Sequence, residues 1–359
     1  MPLDPVSPPQ AKPDAALPLA GIRIVDLGWL TAGAASSALL CDLGAEVMKL
    51  EGPGAIDPFR NWDGAQNGTD WWNRSPWFAF TNRGKRSVCL DLKDPRGQEA
   101  LLRLLETADV LVENYRRGVL AQWGLDAATL RKRFPRLIIA SISSQGEDGP
   151  DRDMVSFGST LEATGGMAAL TGSGEAPVIT GRDVNYPDQV VCLFASGAII
   201  AALLERDRTG EGAHLDLSQR ELTTFLLGEE LIAAAAGNPS PRLGNADPLE
   251  PADRVVPDGQ GGWRAEWPGG SAPVRDGAAL AAAEDFAKGT AVLRSPDGKP
   301  AKGIPFRLSN RPLAIRGNCH TLGQDNHAVL AEAGLTSEEI TALEEAGVLA
   351  TAPRRGVVA

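Results

Sequence analysis

Carboxylates gather in the segment 146–167, where Asp151 and Asp153 precede Gly158 and Glu162 follows it. A helix starting at 158 puts Glu162 one turn on and on the same face. A carboxylate so placed can attack an electrophilic carbonyl or move a proton, and equally it can be an exposed or capping side chain. Cations gather elsewhere, at Lys85-Arg86 and in Asn114-Tyr115-Arg116-Arg117. Ammonium, guanidinium and aromatic groups together suit an anionic ligand with a flat ring, and solvated surface charge gives the same pattern. The three histidines, His214, His320 and His327, are scattered, and Cys41, Cys89, Cys192 and Cys319 lie far apart. Neither set has metal-ligand spacing, so free structural thiols in a reducing cytoplasm and no bound metal are expected.

Those residues need a scaffold, and 359 residues suffice for one large and one smaller domain. Apolar content of 43% and charged content of 23% are ordinary for a globular protein. A formal charge of -11 argues against unspecific binding to nucleic acid or anionic membrane, and leaves room for a local basic pocket. No stretch reads as the roughly 20 apolar residues that span a bilayer. The proline-rich start has neither an apolar core nor a basic front, so residues 1–18 are expected to form a disordered arm rather than a secretory signal.

Short apolar runs alternate with helical patterns through the first half. Strands are expected at 22–27, 46–50, 87–92, 110–113 and 137–142, and helices at 34–43 and 95–107. That alternation predicts an α/β class with a Rossmann-like parallel sheet. The first strand runs into Gly28-Trp-Leu-Thr-Ala-Gly33, which is not a GxGxxG fingerprint; backbone N–H groups there could meet a ligand, and tight helix-to-sheet packing explains the small residues better. Trp62, Trp71, Trp72 and Trp77 mark a loop pinned by large side chains rather than a cleft. Further helices are expected at 188–206 and 221–236 around a strand at 214–218, with Asp188 capping the first of them. The expected division is a large domain at 19–237, a small loop-rich domain at 238–303, and a C-terminal part at 304–359 that returns to the large one. Helices at 322–333 and 337–346 close the chain, the second opened by a capping box at Ser337-Glu338-Glu339-Ile340, preceded by Thr336.

Several segments in series resemble the class III CoA-transferases, the CaiB/BaiF family: Leu19-Ala-Gly-Ile-Arg-Ile-Val-Asp-Leu27, Cys41-Asp-Leu-Gly-Ala-Glu-Val-Met-Lys-Leu-Glu51, Asn82-Arg-Gly-Lys-Arg-Ser87, Val112-Glu-Asn-Tyr-Arg-Arg-Gly-Val-Leu120, Tyr186-Pro-Asp-Gln189 and Arg208-Thr-Gly-Glu-Gly212. The resemblance implies coenzyme A or acyl-CoA as substrate along the C-terminal edge of the sheet, near Lys85, Arg86, Asn114, Tyr115 and Arg116. It implies an interlocked dimer. It also places a nucleophilic Asp at position 158, which here is glycine, and a pocket-side position at Asp188.

In the family mechanism an Asp carboxylate attacks an acyl-CoA thioester to give a mixed anhydride, and released CoA then forms an enzyme thioester. A glycine cannot do this, so three readings are open. The favoured one makes this chain the non-nucleophilic subunit of a heteromer whose homologous partner carries the Asp, as in the two-subunit succinyl-CoA:benzylsuccinate type. CoA would then move from an acyl-CoA such as succinyl-CoA to a carboxylic acid such as an aromatic succinate. The second uses a displaced carboxylate, Glu162 or Asp153. The third is a non-enzymatic CoA-binding or regulatory protein, with Gly261-Gly262 and Gly269-Gly270 as remnants of a lid or as plain turns.

Overall fold

The computed structural model describes residues 17–62, 68–172, 185–244, 253–284 and 292–354; residues 1–16 of the expected arm lie outside these. Packing divides the chain into two units. The first comprises Met1–Ser143, Val191–Leu217 and Gly289–Ala359, and the second Ser144–Val190 and Ser218–Lys288.

In the first unit β1 (Arg23–Asp26), α1 (Ala34–Asp42), β2 (Glu46–Glu51), α2 (Pro76–Asn82), β3 (Arg86–Cys89), α3 (Pro95–Leu105), β4 (Val110–Glu113), α4 (Val119–Gln122), α5 (Ala127–Arg133) and β5 (Ile138–Ser143) alternate as expected. Short strands of Val, Ile and Leu are buried on both faces because helices follow each of them. The sheet order is β3-β2-β1-β4-β5-β6, with β6 at His214–Ser218. The pairs β1–β2, β2–β3, β1–β4 and β4–β5 run parallel. This is the doubly wound order, whose direction reverses between β1 and β4, and ligands of such sheets bind outside the strand C-termini at that switch.

Helix starts follow local chemistry. Asp94 accepts from Arg96 N ahead of α3, and Ser75 from Phe78 N ahead of α2, each followed by proline at the first helical position. The apolar stripe of α3, Ala100, Leu101, Leu104 and Leu105, enters a core shared with Val25, Leu50, Val88 and Leu111. Two C-terminal helices, Asn326–Glu332 and Ser337–Glu345, bring Val329, Leu330, Ile340 and Leu343 into the same core. The second has Thr336 as its cap and Glu339 completing the box.

The second unit holds α6 (Gly158–Thr164) and α7 (Met167–Leu170), and a long helix, α8 (Tyr186–Thr209), starts in it. The expected helix 221–236 is broken into α9 (Gln219–Phe225) and α10 (Gly228–Ala235) at Leu226-Leu227. A three-stranded antiparallel meander follows, β7 (Arg254–Pro257), β8 (Trp263–Trp267) and β9 (Gly270–Pro273), and then α11 (Gly277–Ala282). Gly261 and Gly269 lie in the turns of that meander with φ of 92° and 91°. The expected small domain at 238–303 is therefore drawn too narrowly. α6 packs on α9, where Gly165 lets the Thr223 side chain approach, so 144–190 and 218–237 belong with it. A hairpin, β10 (Val292–Arg294) and β11 (Pro300–Lys302), joins the first unit instead.

The expectation that no stretch could span a membrane also changes. α8 is long and apolar enough by length and composition, with a mean hydropathy of 1.8 and half of that window buried in the protein. Its buried side, Val191, Ala195, Ile199 and Leu203, is that of a core helix, and Leu193, Phe194 and Leu204 are exposed on the other.

Candidate active site

A layer of buried ion pairs lies beneath the C-terminal ends of β1 and β2. Lys85 Nζ donates to Asp26 Oδ2 at 2.7 Å, Ala34 O at 2.7 Å and Asn82 Oδ1 at 2.9 Å. Lys49 bonds Gly28 O and Asp57, and Arg60 holds Glu51 through Nε at 2.8 Å and an NH2 group at 2.6 Å. All six charged side chains are at most 2% exposed. Burial pulls the Lys85 ammonium below its usual pKa, and the Asp26 charge offsets only part of this.

These pairs shape the turn after β1. Gly28 N donates to Asp26, Trp29 N to Asn114 Oδ1 at 2.7 Å, and Leu30 N to Asp57. Leu30 sits in the left-handed region with φ of 56°, held by that last bond. A Cβ on Gly28 would lie 2.6 Å from Gly33, so the two glycines serve close backbone approach. The N–H groups of 28–30 are therefore taken by internal acceptors, and packing is the reason for the small residues.

Above this layer, outside the strand C-termini, opens a cavity of about 230 Å³. Trp29, Tyr115 and Trp123 form an aromatic wall, with Trp29–Tyr115 centroids at 5.8 Å and Tyr115–Trp123 at 6.0 Å, both edge to face. Lys93 and Arg354 line the same cavity, and Arg354 pairs with Asp91 at 2.6 Å. Its volume suits one ring system of a ligand rather than a whole coenzyme.

The five expected cofactor-binding residues separate into three places. Tyr115 lines the cavity, Asn114 pins the turn beside it through Trp29 N and Trp29 O, and Arg116 is exposed just beyond. Lys85 lies under the floor with three protein acceptors, which does not fit a direct phosphate contact. Arg86 opens β3 at the opposite end of the strands, where it bonds Glu46 and Glu332 at 2.6 Å each; those hydrogen bonds to Glu332 and Glu46 raise its pKa. A basic pair adjacent in sequence at a strand entry sends one side chain inward and one outward along the edge. Lys93, Trp29, Trp123 and Arg354 were not expected in this role, and the signal for the first was its position directly after the third strand.

The second unit holds a buried polar cluster around Gly158. A Cβ built on Gly158 would lie 2.4 Å from both Cβ and Cγ of Asn185, so this backbone has no room for aspartate at 158. We expect Gly158→Ala to cost about 1–3 kcal/mol through that overlap, measured as a lower urea midpoint.

Glu162 is buried and accepts from Tyr186 N at 3.3 Å, at the first residue of α8. This is the capping geometry rather than that of an open nucleophile. Asp153 is solvent-exposed, 3.8 Å from Arg152, and Asp151 pairs with Arg220 at 2.6 Å.

Asp188 was expected to cap α8, but α8 starts at Tyr186, which puts Asp188 inside its first turn. Gln219 Nε2 donates to its Oδ1 at 2.6 Å and the Asn185 side chain bonds it as well. Burial lifts its pKa from 3.8 to about 6, with the Glu162 charge adding to the rise and the two amide bonds opposing it. A half-buried carboxylate with a raised pKa, set by amide donors and a second carboxylate, is equipped to act as nucleophile or base. Among the described residues no group of His, Cys, Asp and Glu could hold a metal ion.

Comparison with known proteins agrees with this architecture. A crystal structure of a CAIB/BAIF family protein from Brucella suis is similar with a TM-score of 0.82 and 25% identity, covering 89% of this chain and 100% of that one. The succinate–glutarate CoA-transferase of Agrobacterium fabrum is 36% identical over 70% of this chain and 63% of its own length. The alpha and beta subunits of succinyl-CoA–L-malate CoA-transferase from Chloroflexus aurantiacus are each 34% identical, over 65% and 61% of this chain and 53% of their own lengths. The chain thus spans about three fifths of the first relative and about half of the two subunits. Residues 19–265 match CoA-transferase family III, and the chain belongs to that family.

Proposed function

We propose that this chain is a CoA-transferase that moves CoA from an acyl-CoA to a carboxylic acid and carries its acyl group on Asp188. The observation that carries the reading is the Asp188 carboxylate, half-buried, raised to about pKa 6 and hydrogen-bonded to Gln219 and Asn185. Family membership supplies the reaction class. Asp188 attacks the thioester carbonyl, the C–S bond breaks, and CoA thiolate leaves a mixed anhydride. The thiolate attacks the Asp188 carbonyl, releasing the donor acid and leaving an Asp188 thioester. The acceptor carboxylate attacks that thioester to form a second anhydride, and the thiolate takes the acceptor acyl group from it. Asp188 is returned as the free carboxylate.

Within the first unit, the cavity offers Trp29, Tyr115 and Trp123 to the rings of a nucleotide and Lys93, with Arg116 just beyond, to its phosphates. Lys93→Met is expected to raise the acyl-CoA KM about tenfold with kcat unchanged, because a uniform-binding contact is lost. A steady-state titration of the variant checks it, and an unchanged KM would remove Lys93 from the site.

Relatives named as alpha and beta subunits favour a second reading, in which a homologous partner carries the acyl group and this chain is its non-nucleophilic subunit. Exposed Leu193, Phe194 and Leu204 on α8, and Phe225, Leu231 and Ile232 on α9 and α10, offer apolar area for a second chain of either kind. Succinyl-CoA as donor and a dicarboxylic or aromatic succinate acceptor follow from the same relatives and resemblance. Assaying the purified chain alone, with succinyl-CoA and a panel of acids, separates the readings. Turnover without a partner supports Asp188, and turnover only with a co-purified homologue supports the heteromer.

A further inference from the structure

A larger cavity, about 750 Å³, opens in the first unit between α2 and the β10–β11 hairpin. It shares no lining residue with the aromatic cavity at the sheet edge. Its volume lies within the range of small-molecule sites. The lining carries four cations, Arg74, Arg83, Lys299 and Lys302, and one carboxylate, Asp297, in a chain whose formal charge is -11.

One of those cations, Arg83, is built into the fold, and Lys302 is exposed at the cavity wall. Arg83 is 7% exposed and is held by Asp42 from behind and by Phe80 O at 2.8 Å. Its Nε is buried with no acceptor, so the guanidinium has more donors than the protein satisfies. Lys302, on β11, places its ammonium 5.5 Å from the centre of the Phe80 ring. Lys299 pairs with Asp297 at 2.9 Å, and Asp297 N donates to Asn318 Oδ1 at 3.1 Å, which fixes the hairpin turn at the rim.

We propose that this cavity is a second binding site, for a small organic anion whose hydrocarbon part lies on Phe80 and whose charged oxygens are recognised by Lys302 with the Arg83 charge behind it. Carboxylate and phosphate share that chemistry. The site is independent of the transfer reading, since none of its residues has a part in it. Desolvation lowers the Lys302 pKa, Cys192 opposes this and the Arg83 charge adds to the fall, and a bound anion would raise it.

The test uses the full chain with 13C-methylated lysines, the Lys302 signal being assigned by its absence in Lys302→Arg. Glutarate and inorganic phosphate are added separately. The expected result is a Lys302 titration midpoint that moves up with saturating probe, while the Lys93 signal stays in place. A response to glutarate alone identifies a carboxylate ligand, and a response to phosphate alone a phosphorylated one. Calorimetric affinity for the active probe should fall about tenfold in Lys302→Met, the loss of one charge-assisted contact. A Lys302 midpoint unmoved by either probe, or equal affinity in Lys302→Met, would overturn the proposal.

Discussion

Asp188→Asn is expected to lower CoA transfer by about 1,000-fold or more, because an amide cannot carry the acyl group through anhydride and thioester. The same change should make the protein more stable at pH 8. The rise from 3.8 to about 6 means the folded chain holds a proton that the unfolded chain has already lost. Stability is thus full below about pH 4 and falls as pH rises through about 6, by roughly 3 kcal/mol in all. The amide of the variant has no charge to bury and escapes that loss. Urea melts at pH 5 and pH 8 should show wild type weakening and the variant holding. A merely structural cap would show the opposite, a destabilised variant with transfer intact. The free carboxylate is the attacking form, so kcat/KM should also rise with pH along a limb near 6.

Lys85→Met should cost about 3–5 kcal/mol, the penalty for leaving the Asp26 carboxylate buried without its cation. Ser37 Oγ and Gly28 N still donate to Asp26, yet neither neutralises it. The turn at 28–33 hangs on Asp26, Asp57 and Asn114, so loosening there should also weaken acyl-CoA binding. Pairing the change with Asp26→Asn should recover most of the stability, since removing both charges removes the desolvation cost as well. Denaturant melts of the two singles and the double check this. A Lys85→Met variant as stable as wild type would mean the ammonium is not needed to hold the turn.

The sheet was legible because strands buried on both faces are short continuous apolar runs, and 46–50 and 110–113 read as they fold. The second unit was harder. Its helices are short and interrupted, as at Leu226-Leu227, and composition marked a boundary near 238 where packing draws none. Lys85 and Arg86 show why a basic pair misleads: charge is visible in the sequence, but whether a side chain turns inward to Asp26 or outward to Glu332 depends on residues distant along the chain. Asp188 reads as a cap because sequence alone places the start of α8 only to within about two residues. That shift decides whether the carboxylate ends the helix or sits in its first turn. Gly158 reads as a missing nucleophile, while the space a side chain would need there belongs to Asn185, a neighbour the sequence does not reveal.

In the proposed transfer a single carboxylate, Asp188, bears first the acyl group and then CoA. Incubating the full chain with succinyl-CoA and hydroxylamine, then mapping the modified peptide by mass spectrometry, shows which residue it is, because hydroxylamine expels CoA from the enzyme thioester and leaves the hydroxamate on the carboxyl that carried it. The hydroxamate is expected on Asp188 and is expected to be missing in Asp188→Asn. A hydroxamate on another carboxylate such as Glu162, or only on a co-purified homologous chain, would contradict it.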